Sequence, residues 1–153
     1  MSADHDVDTE EEERERYREL LEELRTIIPG VQVLFAFLLT APFSSRFEEL
    51  DEFGRDLYAA ALTGVALAAV ILLTPAAYHR LGSTNDRSTR LKIGIASTVV
   101  GLALLSASVV TSVFVVIRFV FDDGLFAELL AGLVGIVTIV MWYGLSLGHR
   151  LKG

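Results

Sequence analysis

Four long apolar runs alternate with polar segments along this chain. The run over residues 93–117 contains no Asp, Glu, Lys, Arg or His. A helix needs about 20 apolar residues to cross the hydrocarbon of a bilayer. At 1.5 Å per residue this run reaches about 37 Å, enough to span with some tilt. A helix on the surface of a soluble domain would carry a polar stripe at a period of 3.6, and none is present. Three further runs have the same character: residues 27–43, which are short for a span, residues 57–78, and residues 125–147, interrupted only by Glu128. The pattern predicts an all-α integral membrane protein, a four-helix transmembrane bundle.

Before the first span the pattern changes. Residues 1–8 read as a short acidic tail without fixed structure. Thr9 and Glu12 have the spacing of a capping box and predict a helix over residues 9–28. Tyr17, Leu20, Leu21, Leu24, Ile27 and Ile28 form one apolar stripe on it, with Glu and Arg opposite. Such a stripe suits packing on the rest of the bundle, a coiled-coil contact with a second copy, or, least well given its Glu content, adsorption on anionic lipid. Pro29-Gly30 predicts a bend or break between this amphipathic helix and the membrane domain, residues 27–153.

The connections carry their own signals. Ser45 and Glu48 have capping-box spacing, and Phe47, Leu50, Phe53 and Leu57 suggest a short interfacial helix between the first two spans. Pro75 should kink the second span near its end, and Gly82 is a natural helix stop in the loop that follows. Asp122-Asp123-Gly124 predicts a tight turn before the fourth span. Ala60, Gly64 and Ala68 repeat at intervals of four, as do Ala131 and Gly135, and Gly144 and Gly148. Small residues at this spacing let helix backbones approach closely. The last pair offers a route to a homo-oligomer, and packing within one chain is the competing use.

Orientation follows from Lys and Arg counted by side. Arg14, Arg16, Arg18, Arg25, Arg80, Arg87, Arg90, Lys92, Arg150 and Lys152 fall on one side of a four-span protein; Arg46, Arg55 and Arg118 fall on the other. The excess places both termini and the 79–92 loop in the cytoplasm of a cell-membrane protein, and makes the N-terminal helix cytoplasmic. The N-terminus is acidic and lacks a basic segment followed by an apolar one, so no cleavable signal peptide is expected.

Composition adds little chemistry. The net charge of −7 disfavours nucleic acid as a partner. The acid excess suits either a cell with high internal salt or an ordinary acidic tail. With no cysteine, disulfides and thiolate metal sites are excluded. No phosphate-binding loop, dinucleotide fingerprint, HExxH or GxSxG is present, and His5, His79 and His149 lack metal-ligand spacing. No cofactor, metal or catalytic residue is therefore expected.

Two sets of polar residues stand where they cost energy. Arg118 ends the third span and Glu128 lies one turn into the fourth; a local outer ion pair is the plain expectation, an ion-entry site the sharper one. Glu22, Arg25 and Gln32 on the first helix, and Tyr78, His79 and Arg80 on the second, should converge at the cytoplasmic end of the first hairpin. That expectation sets His79 opposite Leu21 and Glu22. Salt bridges there could be structural, or could form a cleft sensitive to pH through His79.

Three stretches carry a family resemblance: Glu22-Glu23-Leu24-Arg25; Gly30-Val31-Gln32-Val33-Leu34-Phe35-Ala36-Phe37-Leu38-Leu39-Thr40-Ala41-Pro42-Phe43 with Arg46-Phe47; and Pro75-Ala76-Ala77-Tyr78-His79-Arg80. Their order and spacing resemble the domain of unknown function 6328 family, small prokaryotic four-span membrane proteins. The resemblance covers roughly residues 15–115 and departs at Ile27-Ile28-Pro29 and in the length of the second loop. It implies a helical membrane fold and no activity, because the family has none assigned. The expected function is accordingly a non-enzymatic structural or interaction module, with the lipid bilayer as its surroundings. The alternative is a small ion or solute transporter or channel component, which would need polar groups along a midplane path.

Overall fold

The computed structural model describes the backbone of residues 2–81 and 87–144, and the side chains of 15–77 and 91–142. Four helices make up the chain: α1 (Ser2–Thr40), α2 (Glu52–Leu81), α3 (Arg87–Phe121) and α4 (Gly124–Ile139). Two 3₁₀ turns, Ala41–Phe43 and Ser45–Glu49, join α1 to α2, and a π turn, Val140–Gly144, extends α4. Glu15–Phe43, Glu52–Ala77, Leu91–Phe121 and Gly124–Trp142 are each long and apolar enough to cross a membrane. The shortest, of 19 residues, reaches about 28 Å, close to the hydrocarbon thickness.

Burial follows one rule on every helix. Ala61, Val65, Ala68 and Leu72 form the buried stripe of α2, and Leu105, Ser108 and Val115 that of α3. On α1 the buried residues are Leu24, Val31 and Leu38, seven apart, and on α4 they are Ala127 and Ala131. Steps of three, four and seven keep one seam facing a partner when helices pack at a shallow left-handed angle. Lipid tails are as apolar as leucine, so burial alone gives no drive between these helices; close packing must hold them. Small residues supply it between α2 and α3. A Cβ at Gly64 would collide with the Ser108 hydroxyl, and one at Gly101 would stand 2.7 Å from Leu72 Cγ. Of the expected small-residue repeat, Gly64 and Ala68 face α3, whereas Ala60 is exposed.

The other two helices are added to this pair unequally. α1 packs on both α2 and α3; α4 packs on α3 alone among the described residues. Ala127, Ala131 and Gly135, whose added Cβ would touch Val110, form the α4 side of that contact. The remaining face of α4 is left exposed, with Leu125, Leu129, Leu133 and Ile136 each more than half exposed.

Several local expectations change. α1 is helical from Ser2, so residues 2–8 are no separate tail in the backbone trace and Thr9 lies inside the helix rather than capping it. Acidic residues near a helix N-terminus are favoured by the helix dipole, which fits the longer helix. Pro29 does not end α1 either. Leu24 lies before the proline and Val31 and Leu38 after it, all three in one core with Val65, Ala68 and Leu72. Docking on both sides outweighs the one backbone hydrogen bond that the proline removes. In the first connection the Ser44 hydroxyl, not that of Ser45, caps the turn, accepting from the Arg46 N–H at 3.3 Å. The turn before α4 is as expected. Asp122 adopts φ 52°, a left-handed conformation that Asp tolerates, and the Asp123 carboxylate accepts from the Phe126 N–H at 3.1 Å. Gly82 lies outside the described residues.

Candidate functional site

Polar side chains gather at the end of the bundle where α1 turns into α2 and α3 into α4. Asp51 is the centre of that cluster. Its backbone carbonyl accepts from the Arg55 N–H at 3.0 Å, and its Oδ1 accepts from the Gly54 N–H at 3.0 Å, so it caps α2. The same carboxylate receives a two-pronged contact from Arg118, Nη1 to Oδ1 at 2.9 Å and Nη2 to Oδ2 at 2.7 Å. Arg118 also lies over the Phe53 ring, 5.3 Å from its centroid. The Arg118 guanidinium holds the Asp51 carboxyl below its usual range, outweighing desolvation, which acts the other way, and the Gly54 N–H adds a smaller lowering effect.

The two other arginines of this end are also engaged. Arg46 lies over the Phe119 ring at 5.7 Å and 3.9 Å from Glu49, and Arg55 donates to the Glu48 carbonyl at 2.8 Å. All three therefore tie the first connection to itself or to the end of α3. A crevice of about 290 Å³ beside the pair is lined by Glu49, Asp51, Arg118 and Asp122. A smaller one of about 170 Å³ lies under Arg46 and Phe47 and reaches Tyr58, whose buried hydroxyl has no hydrogen-bond partner.

The expected outer pair is thus corrected: Arg118 engages Asp51, and Glu128 is exposed on α4. Arg118 lies one turn beyond Val115 on the stripe that faces α2, while α4 docks on another face of α3 through Ala127, and Glu128 is the next residue round the helix. Sequence spacing brought Arg118 and Glu128 close along the chain, but helix rotation separates them. Asp51 carried a readable signal as a helix cap three residues before Gly54. Nothing in the sequence marked it as the partner of Arg118.

At the opposite end the expected cleft is not assembled as drawn. Glu22, Arg25 and Gln32 are exposed on α1. The backbones of Tyr78, His79 and Arg80 continue α2, and their side chains lie outside the described residues. The register is set instead by Tyr17, whose hydroxyl donates to the Pro75 carbonyl at 2.9 Å. Arg80 is five residues past Pro75, so in an antiparallel pair it is level with the residue five before Tyr17. Glu22 lies ten residues further along α1, about 15 Å away at 1.5 Å per residue. The expectation rested on a hairpin centred near residue 50. The 3₁₀ turns and the side-chain reach of Tyr17 shift that centre.

A third feature was not expected. α1 and α4 both lie against α3 but not against each other, leaving a groove of about 680 Å³ between them. Gly30, Leu34, Leu102, Ser106, Thr138 and Trp142 are among its walls. Within the described spans most Ser and Thr hydroxyls turn back on their own helices, among them Thr98 to the Gly94 carbonyl at 2.9 Å, Ser106 to Leu102 at 2.8 Å, Ser108 to Leu104 at 2.9 Å and Thr138 to Val134 at 2.8 Å. No group of His, Cys, Asp or Glu able to hold a metal occurs among the described residues.

No curated protein and no solved structure matches the chain. A family model does, and its span takes in all four helices. The match runs over residues 6–146, and the chain belongs to DUF6328, a family of unknown function.

Proposed function

We propose that this multi-pass protein is a non-enzymatic structural or interaction module of the cell membrane, with both termini and the α2–α3 connection in the cytoplasm. One observation carries the reading. Most hydroxyls of the described spans donate to their own helices and the polar exceptions, Gln32, Tyr58 and Glu128, lie on three different helices and make no shared path, while α1 and α4 each present a long apolar face that no other described helix covers. A transport path needs polar groups free to meet a solute near the midplane. An interaction module in lipid needs an open face that close packing can hold, and Gly132 on the open side of α4 leaves room for a second helix to approach. The exposed face of α4 makes self-association the simplest form of that role. Of the glycines expected to mediate it, Gly144 lies in the π turn and Gly148 lies outside the described residues.

Reconstitution into liposomes tests the reading. Ion and solute flux should match protein-free vesicles, and cross-linking in the bilayer should yield a discrete oligomer. A flux abolished by Glu128→Gln would overturn it in favour of a channel or transporter. Orientation is tested by single cysteines at Ser83 and Glu48 with an impermeant maleimide on intact cells. Labelling at Glu48 alone is expected; labelling at Ser83 alone would invert the topology.

A further inference from the structure

The walls of the groove between α1 and α4 state what it can hold. Its floor is α3, at Leu102 and Ser106; one wall is α1, at Gly30 and Leu34, and the other α4, at Thr138 and Trp142. Among the described residues no charged one lines it. The Ser106 and Thr138 hydroxyls donate their protons to their own helices, which leaves only acceptor lone pairs toward a polar guest. All these residues lie within helices long and apolar enough to span a membrane. The rims continue into the outer surface: Val33 and Phe37 on α1, and Val137 and Met141 on α4, are each more than half exposed. The groove is therefore an inward extension of the surface that meets lipid.

We infer that the groove is a site for a lipid acyl chain, which enters sideways from the bilayer and packs against α3 between α1 and α4. The inference rests on the membrane setting of the helices and is independent of the module reading. The groove is open to the surrounding bilayer, so a lipid chain reaches it without any opening of the bundle. Water would find only the spare lone pairs of two hydroxyls on walls that are otherwise apolar, a poor exchange for the hydrogen bonding of bulk water. A helix from a second copy would need small residues to come close to α3, and Leu34, Leu102 and Trp142 are large. An acyl chain is apolar, flexible, and already the solvent at both rims.

Trp142 is the only tryptophan of the chain and lines the groove, so its emission reports the occupant. The full-length protein is reconstituted in phosphatidylcholine vesicles with plain or dibrominated acyl chains, because bromine quenches indole on contact. The phospholipid retained after detergent extraction is measured in parallel. Gly30→Phe fills the groove, and an added Cβ at Gly30 meets no atom within 4 Å. Gly132→Phe, equally open on α4 but away from the groove, is the control. Wild type should be quenched and should retain phospholipid. Gly30→Phe should lose most of the quenching and the retained lipid, and Gly132→Phe should lose neither. Ser106→Leu narrows the same groove from α3 and should repeat the Gly30→Phe result should that variant fail to fold. Quenching that falls without loss of retained lipid would mean the new ring merely shields Trp142, and the site does not exist. Unchanged quenching in the filled variants would mean that Trp142 meets only boundary lipid. An unquenched wild type would mean that protein, such as a second copy, closes the groove. Each of these three results overturns the inference, and none bears on flux or orientation.

Discussion

α2 and α4 are alike in sequence character and opposite in placement. Both are apolar helices that dock on α3 through small residues, Gly64 and Ala68 on one, Ala127 and Ala131 on the other. Yet α2 is covered by α3 on one side and α1 on another, and Val65, Ala68 and Leu72 are fully buried. Among the described residues α4 touches α3 alone, and its other faces remain open. In water such an apolar helix would be forced inside. In lipid, exposure of leucine costs nothing, so one good seam is enough to hold a helix. The difference separates the scaffold of the protein from the surface it has left to offer.

The sharpest test of that division is to break the α2–α3 seam. Gly64→Leu drives a side chain into Ser108, and overpacking of this kind should cost about 3 kcal/mol or more. The mirror change on α4, Gly132→Leu, enters open space and should stay within about 0.5 kcal/mol of wild type. Unfolding by SDS in mixed micelles reads both. Equal destabilisation would abolish the distinction.

Truncation gives the next largest effect. Leu72→Ala empties a fully buried site and should cost about 2–4 kcal/mol, mostly as cavity and lost packing. Leu129→Ala removes a side chain that already faces outward, so the same assay should show little change.

A smaller effect is expected where α1 fastens to α2. Tyr17→Phe deletes the hydrogen bond to the Pro75 carbonyl and should cost about 1 kcal/mol. Amide exchange along α1 before Leu24 should quicken, while that of α4 stays unchanged.

The smallest effect concerns acid. The Asp51 carboxyl is held below its usual value of about 3.9, so the folded protein binds its proton less readily than the unfolded chain. Its contribution is complete above that value and disappears as pH falls through the lower folded pKa. Asp51→Asn should therefore narrow the gap to wild type between neutral pH and pH 3, as read by unfolding in mixed micelles across that range. An acid limb that is identical in wild type and Asp51→Asn would show that Arg118 does not hold α3 to the first connection in solution.

How much of this was legible in advance depended on whether the signal was local. Residues 93–117 announced a span by composition alone, and the Asp122-Asp123-Gly124 turn by its own backbone preferences. The expected bend at Pro29 was a local rule overridden by Leu24, Val31 and Leu38, which pack both halves of α1 onto one surface. The outer pair failed for another reason. Arg118 and Glu128 are near in sequence, but Asp51 is 67 residues from Arg118 and meets it only because α2 and α3 share a seam.

By itself the sequence determined the solvent of this protein, the number of its spans, their approximate ends and the seams of small residues, because hydropathy and side-chain size add up residue by residue. Only the tertiary structure decided which carboxylate Arg118 takes, where Tyr17 fastens α1 to α2, and that α1 and α4 stand apart over α3. Those depend on how each helix is rotated and slid against its neighbour, and many rotations satisfy the same apolar sequence equally well in lipid.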